Sequence, residues 1–169
     1  MPPQPGEPCR AYLDIETTGL DRRRHELTVV GICLEHDGRQ ELVQLHDGSL
    51  TARRLLAALP PACRLYSYNG ARFDLPFIAA RLGIDLARAF PHRDLMHDCW
   101  RHDLRGGLKA VEVRLGIGRE TAGLDGAAAV SLWRDYRLNG NHDALRLLLR
   151  YNAEDITNLV LIRRKLGVR

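Results

Sequence analysis

Several features that mark membrane, secreted and zinc-binding proteins are missing from this 169-residue sequence. No run approaches the roughly 18 apolar residues that a membrane-spanning helix needs. The four cysteines form no C-x-x-C pair, and no basic segment followed by an apolar run marks a secretory signal. The sequence therefore predicts a cytoplasmic protein with reduced thiols and no membrane association.

Lysine is also scarce. Of the 25 basic residues only Lys109 and Lys165 are lysines, and the other 23 are arginines. A net charge of +4 and a pI of about 9.1 are compatible with a polyanionic partner, and arginine suits bidentate contacts to phosphate. A coding bias toward arginine explains the same composition equally well, so charge alone identifies no partner.

The order of the predicted elements indicates the fold class. Residues 1–9 contain four prolines and are predicted to be a flexible tail, which leaves residues 10–169 as a single domain. Strands are predicted at 10–17, 27–34, 40–45, 64–68 and 89–94, and helices at 50–59, 73–82, 108–115, 126–136 and 141–166. An antiparallel three-strand meander followed by two parallel strands predicts an α/β fold, with a mixed five-stranded sheet flanked by helices.

Two acidic residues lie in the first predicted strand. Asp14 and Glu16 are two positions apart, so their carboxylates point to the same face of the sheet. Two like charges side by side in a partly buried place destabilise a fold, and a bound cation removes the repulsion. The solvated face of an edge strand would show the same pattern, so the pair alone is weak evidence for a metal site.

Two further acidic positions follow later in the chain. Asp74 comes after an apolar strand and an Asn-Gly turn, near the strand's carboxyl end, where open α/β sheets place their sites. Tyr151 and Asp155 are four apart in a predicted helix and share one face. Each acid alone is also explained as a helix-start or surface residue. Together the four carboxylates can converge on one oxygen-rich cleft, which suits Mg²⁺ or Mn²⁺.

Three segments in this order resemble a known enzyme superfamily. LDIETTGL at 13–20, YNGARFDLPFI at 68–78 and YNAEDI at 151–156 resemble the three motifs of the DEDD 3′→5′ exonucleases. The Tyr-x-x-x-Asp form of the last motif is that of the tyrosine-bearing branch. The segment 107–112, leading into 115–117, further resembles a family of bacterial ribonuclease H-like nuclease domains. The resemblance extends over about residues 10–166 and implies a ribonuclease H-like fold.

The resemblance also implies a function. It implies a 3′→5′ exonuclease that hydrolyses phosphodiester bonds of single-stranded DNA or RNA with two divalent metal ions, Mg²⁺ or Mn²⁺. By position, Asp14 is expected to bridge both ions. Glu16 and Asp155 complete one site, Asp74 serves the other, and Tyr151 orients the attacking water. The residues expected around the 3′-terminal nucleotide are Thr17, Leu20, Asn69 and Phe73.

Two other functions stay open at this point. A nucleic-acid-binding module without catalysis would show salt-dependent affinity and no turnover. A structure-selective endonuclease on the same fold would cut circular substrates. The complete set of acids argues against the first, and the tyrosine of the last motif, through the resemblance, against the second. A monomer is compatible with the sequence, which identifies neither a protein partner nor a preference between DNA and RNA.

Overall fold

The computed structural model describes residues 9–168, which form a five-stranded sheet with helices on both faces. The strands are β1 (Arg10–Thr17), β2 (Leu27–His36), β3 (Arg39–His46), β4 (Arg64–Ser67) and β5 (His92–Asp94). The helices are α1 (Ala52–Ala57), α2 (Asp74–Leu82), α3 (Leu86–Ala89), α4 (Leu95–Arg101), α5 (Leu108–Arg114), α6 (Gly126–Asn139) and α7 (His142–Lys165), with a short 3₁₀ helix at Asp47–Ser49. The predicted α/β fold with a mixed five-stranded sheet is confirmed.

Strand β1 is the centre of the sheet, whose order is β3-β2-β1-β4-β5. It pairs antiparallel with β2 and parallel with β4, so the carboxyl ends of β1 and β4 meet at one edge. Leu13 and Ile15 pack into the core under α1, α2 and α3, whereas Tyr12 packs on the opposite face, against α7. Because side chains alternate along a strand, Asp14 and Glu16 share the face that α7 covers.

Helix α7 crosses this face antiparallel to β1. Near its middle, Asn152 contacts Asp14, and near its end, Arg163 contacts Tyr12. Gly31 of β2 lies opposite Asp14 in the sheet. A Cβ atom at position 31 would lie 2.1 Å from Oδ1 of Asn152, so only glycine leaves room for α7 to approach the sheet this closely.

The structure differs from the predicted elements mainly around the fifth strand. The strand predicted at 89–94 covers only His92–Asp94, and the short helices α3 and α4 on either side of it were not expected. Both begin with an aspartate: Asp85 and Asp94 accept hydrogen bonds from the backbone N–H groups of Arg88 and Met96. Helices of 4 and 7 residues complete too few turns to show a clear periodicity. Within residues 9–168 no helix has the length and apolarity to cross a membrane.

The predictions for the N-terminal segment need two corrections. Residues 1–8 lie outside the described residues, but Cys9 is buried and its carbonyl accepts a hydrogen bond from the N–H of Arg64 at 2.9 Å, so the predicted tail is one residue too long. Cys9 also forms a disulfide with Cys63, so reduced thiols are the wrong prediction for this pair, while Cys33 and Cys99 are free. The two cysteines are 54 positions apart in the sequence, so their spacing does not reveal the pair. Only the parallel pairing of β1 with β4 brings the two cysteines together.

A buried ionic cluster attaches the end of α7 to the sheet. Glu35 of β2 is 5% exposed and accepts hydrogen bonds from the Tyr12 hydroxyl at 2.7 Å, from Arg163 at 3.2 Å and from Arg164. Arg163 also donates to the carbonyl of Val168 at 2.7 Å. Burial by itself would raise the pKa of Glu35, but the donors around the carboxylate hold that pKa below its ordinary value. The cluster therefore contains an ionised carboxylate that depends on its partners.

We expect Glu35→Ala to lower the free energy of unfolding by about 3–5 kcal/mol, because it leaves the buried Arg163 guanidinium without its charged partner. Urea denaturation followed by circular dichroism measures this loss. Glu41→Ala, at an exposed position of the neighbouring strand β3, is the matched control and should change stability by no more than about 0.5 kcal/mol. Equal losses in the two variants would show that the cluster does not stabilise the fold.

The disulfide leads to a second expectation. A cross-link between Cys9 and Cys63 closes a loop of 54 residues, which stabilises a fold by about 4 kcal/mol through the unfolded state. A phosphine reductant should therefore lower the melting temperature of the wild type. Cys63→Ser should melt at the lower temperature whether or not the reductant is present. A melting temperature of the wild type that does not respond to reductant would contradict a disulfide in solution.

A candidate metal centre at the carboxyl edge of the sheet

Three of the four predicted acids come together in the fold. Carboxylate oxygens of Asp14, Glu16 and Asp155 lie within 4.8 Å of one another. Strand β1 directs the first two to one face, and α7 lays Asp155 across that same face. Glu16 and Asp155 are buried and Asp14 is half-buried. A group of carboxylate oxygens at this spacing has the donor type that Mg²⁺ and Mn²⁺ prefer.

Asp74 lies beside this group of three and is not part of it. It is the first residue of α2, is 4% exposed, and its Oδ1 accepts a hydrogen bond from the N–H of Ile15 at 3.2 Å. The pairing of β1 with β4 extends only to Tyr12, so the N–H of Ile15 needs another acceptor. The Asp74 charge nevertheless acts on Asp14 and raises its pKa.

The turn after β4 places the start of α2 beside the acids. Asn69 adopts a left-handed conformation (φ +60°), which asparagine tolerates better than most residues. The carboxylate of Asp94, at the end of β5, accepts hydrogen bonds from the N–H groups of Asn69 at 2.8 Å and Ala71 at 3.1 Å. Asp94 thus shapes the turn, a role that the sequence analysis missed because its only signal is an aspartate at the end of a weak strand.

Burial raises the pKa of all four carboxyl groups, and the charges of neighbouring carboxylates add to the rise at Asp14, Glu16 and Asp74. For Asp14 and Glu16 the rise is large, with burial first and the charge of Asp155 second. The pKa of Asp74 rises to about 7 and that of Asp155 to about 6, again chiefly through burial. Within residues 9–168, the buried Oε1 of Glu16 also has no hydrogen-bond partner. A divalent cation would both neutralise the charges and satisfy this oxygen, so the residues fit Mg²⁺ or Mn²⁺.

Two residues that the sequence analysis does not single out also contact the acids. The Asn152 amide donates to Oδ2 of Asp14 at 3.1 Å, and Arg119 donates to Oδ1 of Asp155 at 2.6 Å. Asn152 lies within the third motif, directly after Tyr151, so its position was the available signal. Arg119 lies in the loop between α5 and α6, 36 residues before Asp155, and no spacing pattern connects the two.

Tyr151 is held beside the acids by Lys109. The Lys109 ammonium donates to the Tyr151 hydroxyl at 2.6 Å and lies 4.5 Å from the ring centroid. Burial raises the pKa of Tyr151 above its ordinary value, and the charges of Asp155 and Glu16 raise it further. The hydroxyl therefore stays protonated at neutral pH. It can donate a hydrogen bond into the site and is a poor base.

Asp14, Glu16 and Asp155 line a cavity of about 460 Å³, a size typical of small-ligand sites. Three of the four residues expected around a terminal nucleotide line it: Thr17, Leu20 and Phe73. Leu20 is 84% exposed and so presents an apolar surface at the cavity. Asn69 is not among the described residues that line the cavity. The first turns of α6, at Gly126–Val130, contribute Gly126, Ala127 and Val130 to its lining.

Solved structures of other proteins share this architecture. A structure described as the apo form of a nuclease is 26% identical, covers 95% of this chain and 72% of its own, and superposes with a TM-score of 0.62. Brucella melitensis NrnC with bound Mg²⁺ is 21% identical over 94% of this chain and 84% of its own (TM-score 0.53). The same Brucella protein bound to pGG is 22% identical over 94% and 81% (TM-score 0.52). No curated protein matches the sequence.

A family model described as the RNase_H superfamily matches residues 11–167, which is nearly the whole of the described chain. The match covers nearly all of β1 and the whole of α2 and α7, the elements that carry the four acids. It confirms the resemblance that the three motifs predict. The chain therefore belongs to the ribonuclease H superfamily.

Proposed function

We propose that this protein is a metal-dependent 3′→5′ exonuclease that hydrolyses phosphodiester bonds in single-stranded DNA or RNA. The observation that carries the proposal is the group of Asp14, Glu16 and Asp155 oxygens within 4.8 Å of one another at a cavity that Tyr151 also lines. The 26% identical nuclease supports the class of enzyme, and the Brucella structures with Mg²⁺ and with pGG support the class of ligand.

In this proposal the four acids hold two divalent ions, Mg²⁺ or Mn²⁺. Asp14, Glu16 and Asp155 would hold the ions, and Asp74, beside the group of three, would contribute to the site. When bound, such ions polarise a phosphoryl group and lower the pKa of water toward about 7. The elevated pKa values of the carboxyl groups support this role, since a bound cation would offset the repulsion among the carboxylates.

The protein's own residues orient the reactants. Tyr151, protonated and buried, donates a hydrogen bond to the water or phosphate oxygen, and Lys109 fixes the direction of its hydroxyl. The Lys109 charge also acts on Glu16 and Asp155, whose pKa values it lowers, so it offsets negative charge at the site. Neither residue needs to lose its proton for this purpose.

The cavity provides the proposed contacts to the 3′-terminal nucleotide. Leu20 and Phe73 offer apolar surfaces to a base or sugar, and Thr17, the last residue of β1, lines the same cavity. A pocket that accepts a chain end explains exonuclease action, because an internal nucleotide continues on both sides. The proposed role of Asn69 rests on the motif resemblance alone, since Asn69 is not among the described residues of the cavity lining.

We expect the protein to shorten 5′-labelled single-stranded DNA or RNA from the 3′ end in Mn²⁺ or Mg²⁺ and to leave both intact in EDTA. Asp155→Asn should reduce the rate to the EDTA background, because an amide replaces a charged metal ligand. A gel assay of the labelled products measures both effects. Asp143→Asn, an exposed position on the same helix, is the matched control and should keep the wild-type rate.

The same assay includes a circular single-stranded DNA, which has no 3′ end and should stay intact. Cleavage of the circle would replace the exonuclease proposal by an endonuclease. Salt-dependent binding without cleavage of any polymer would indicate a module that binds nucleic acid only. If Asp155→Asn cleaves at the wild-type rate, the acids do not take part in the reaction.

The raised pKa values predict how stability depends on pH. In the unfolded chain, carboxyl groups have pKa values of about 3.9–4.3. Because the pKa is higher in the folded protein, each protonated carboxyl contributes its full stability below that range. This contribution is lost as the pH rises through the folded-state pKa, which is about 6 for Asp155 and about 7 for Asp74. In EDTA, we expect Glu16→Gln to melt higher than the wild type at about pH 8, since it removes one of the repelling charges.

Mn²⁺ should raise the melting temperature of the wild type more at about pH 8 than at about pH 5, because protons compete with the ion for the carboxylates at low pH. Differential scanning fluorimetry at both pH values, with and without Mn²⁺, measures these shifts. An equal Mn²⁺ response at both pH values, or a Glu16→Gln variant less stable than the wild type in EDTA, would contradict the electrostatic account.

A further inference from the structure

The loop between α5 and α6 inserts an arginine into the side of the candidate metal centre. The Arg119 side chain is only 7% exposed, and its guanidinium carbon lies 5.4 Å from the ring centroid of Tyr151. One terminal nitrogen donates to both oxygens of Glu112, at 2.8 and 2.9 Å, and the other donates to Oδ1 of Asp155 at 2.6 Å. A single guanidinium thus bridges two buried carboxylates, one of which is a proposed metal ligand.

The loop itself is attached to α7 next to Asp155. Glu154 accepts hydrogen bonds from the N–H groups of Glu120 and Thr121 and from the Thr121 hydroxyl. On the other side of Arg119, Ile117 packs into a buried cluster that includes Ile162 of α7. The backbone on both sides of Arg119 is therefore fixed to the helix that carries Asp155.

Glu112 fixes the position of the Arg119 guanidinium. It is 1% exposed on α5, and its Oε1 also accepts a hydrogen bond from Asn158 at 3.0 Å. Because Arg119 and Asn158 both donate to the buried Glu112 carboxylate, that carboxylate has a single orientation. Glu112 therefore determines the direction of the Arg119 guanidinium. The fork reaches Oδ1 of Asp155 and leaves the other carboxylate oxygen for a cation.

We propose that Arg119 is a positioning residue of the metal centre, which orients the Asp155 carboxylate for a divalent ion while Glu112 holds the guanidinium in place. The inference rests on the proposed function for the identity of the metal ligands. Partners that orient a ligating carboxylate typically change metal affinity or activity by about 10- to 100-fold when they are removed. Arginine suits the role because its planar fork spans two carboxylates, which the point charge of lysine does not.

A purely structural role is the competing explanation, since Arg119 also neutralises the buried Glu112. Two variants separate the roles. Arg119→Gln removes the guanidinium and leaves Glu112 charged and buried, so it should lower the melting temperature. Glu112→Gln combined with Arg119→Gln removes both charges of the pair and should recover most of that loss. Arg134→Gln, on the exposed face of α6, is the control.

The primary measurement is the affinity of each full-length variant for Mn²⁺ by isothermal titration calorimetry, without nucleic acid. We expect the double variant to bind Mn²⁺ about 10- to 100-fold more weakly than the wild type although it is folded. Its cleavage rate should be reduced at low Mn²⁺ and should recover as Mn²⁺ is raised. Arg134→Gln should bind Mn²⁺ like the wild type.

Wild-type Mn²⁺ affinity in the double variant would overturn the inference and leave Arg119 as the counter-ion of Glu112. This outcome is distinct from failure of the proposed function. If the wild type binds Mn²⁺ in an Arg119-dependent way but cleaves no nucleic acid, the positioning role stands and the exonuclease does not. If the wild type binds no Mn²⁺, both fall.

Discussion

Four carboxyl groups that repel one another lie together at one edge of the sheet. The rest of the structure depends on this constraint, because it must hold them there. Asp14, Glu16, Asp74 and Asp155 are each hard to ionise where they lie, because burial raises every pKa, and neighbouring carboxylates raise the pKa of the first three further. A fold optimised for stability alone would separate or replace them. Their convergence is therefore the structural sign of a function, and a divalent cation is the partner whose charge and oxygen preference match it.

Helix α7 must approach β1 closely for this convergence, and separate features hold it there. At the middle of the helix, the missing side chain of Gly31 makes room for Asn152, whose amide also donates to Asp14. Near its C-terminal end, Arg163 and Glu35 form a buried pair with the sheet. The disulfide at Cys9 further ties the start of β1 to the start of β4. These contacts lie outside the cavity but determine the spacing of the oxygens inside it.

The two cations beside the acids have different partners. Lys109 contacts the Tyr151 hydroxyl. Arg119 contacts Asp155 and is itself held by Glu112. Both come from the segment between the second and third motifs, so this segment supplies two positive charges beside the acids. The positive charges of Lys109 and Arg119 offset part of the repulsion among the acids, so the site can remain folded before a metal ion binds.

The sequence by itself predicted the mixed five-stranded sheet and most of its elements from local patterns, and its three motifs singled out the four acids through their resemblance to a known superfamily. Alternation along β1 places Asp14 and Glu16 on one face, and helical spacing places Tyr151 and Asp155 together on α7. Only the tertiary structure decided which groups at a distance complete the site. Arg119 and Asp94 act from loops or turns, and the Cys9 disulfide joins two parallel strands across 54 residues. The periodicity of a local sequence segment does not predict such contacts, because they form only when separate elements pack against each other.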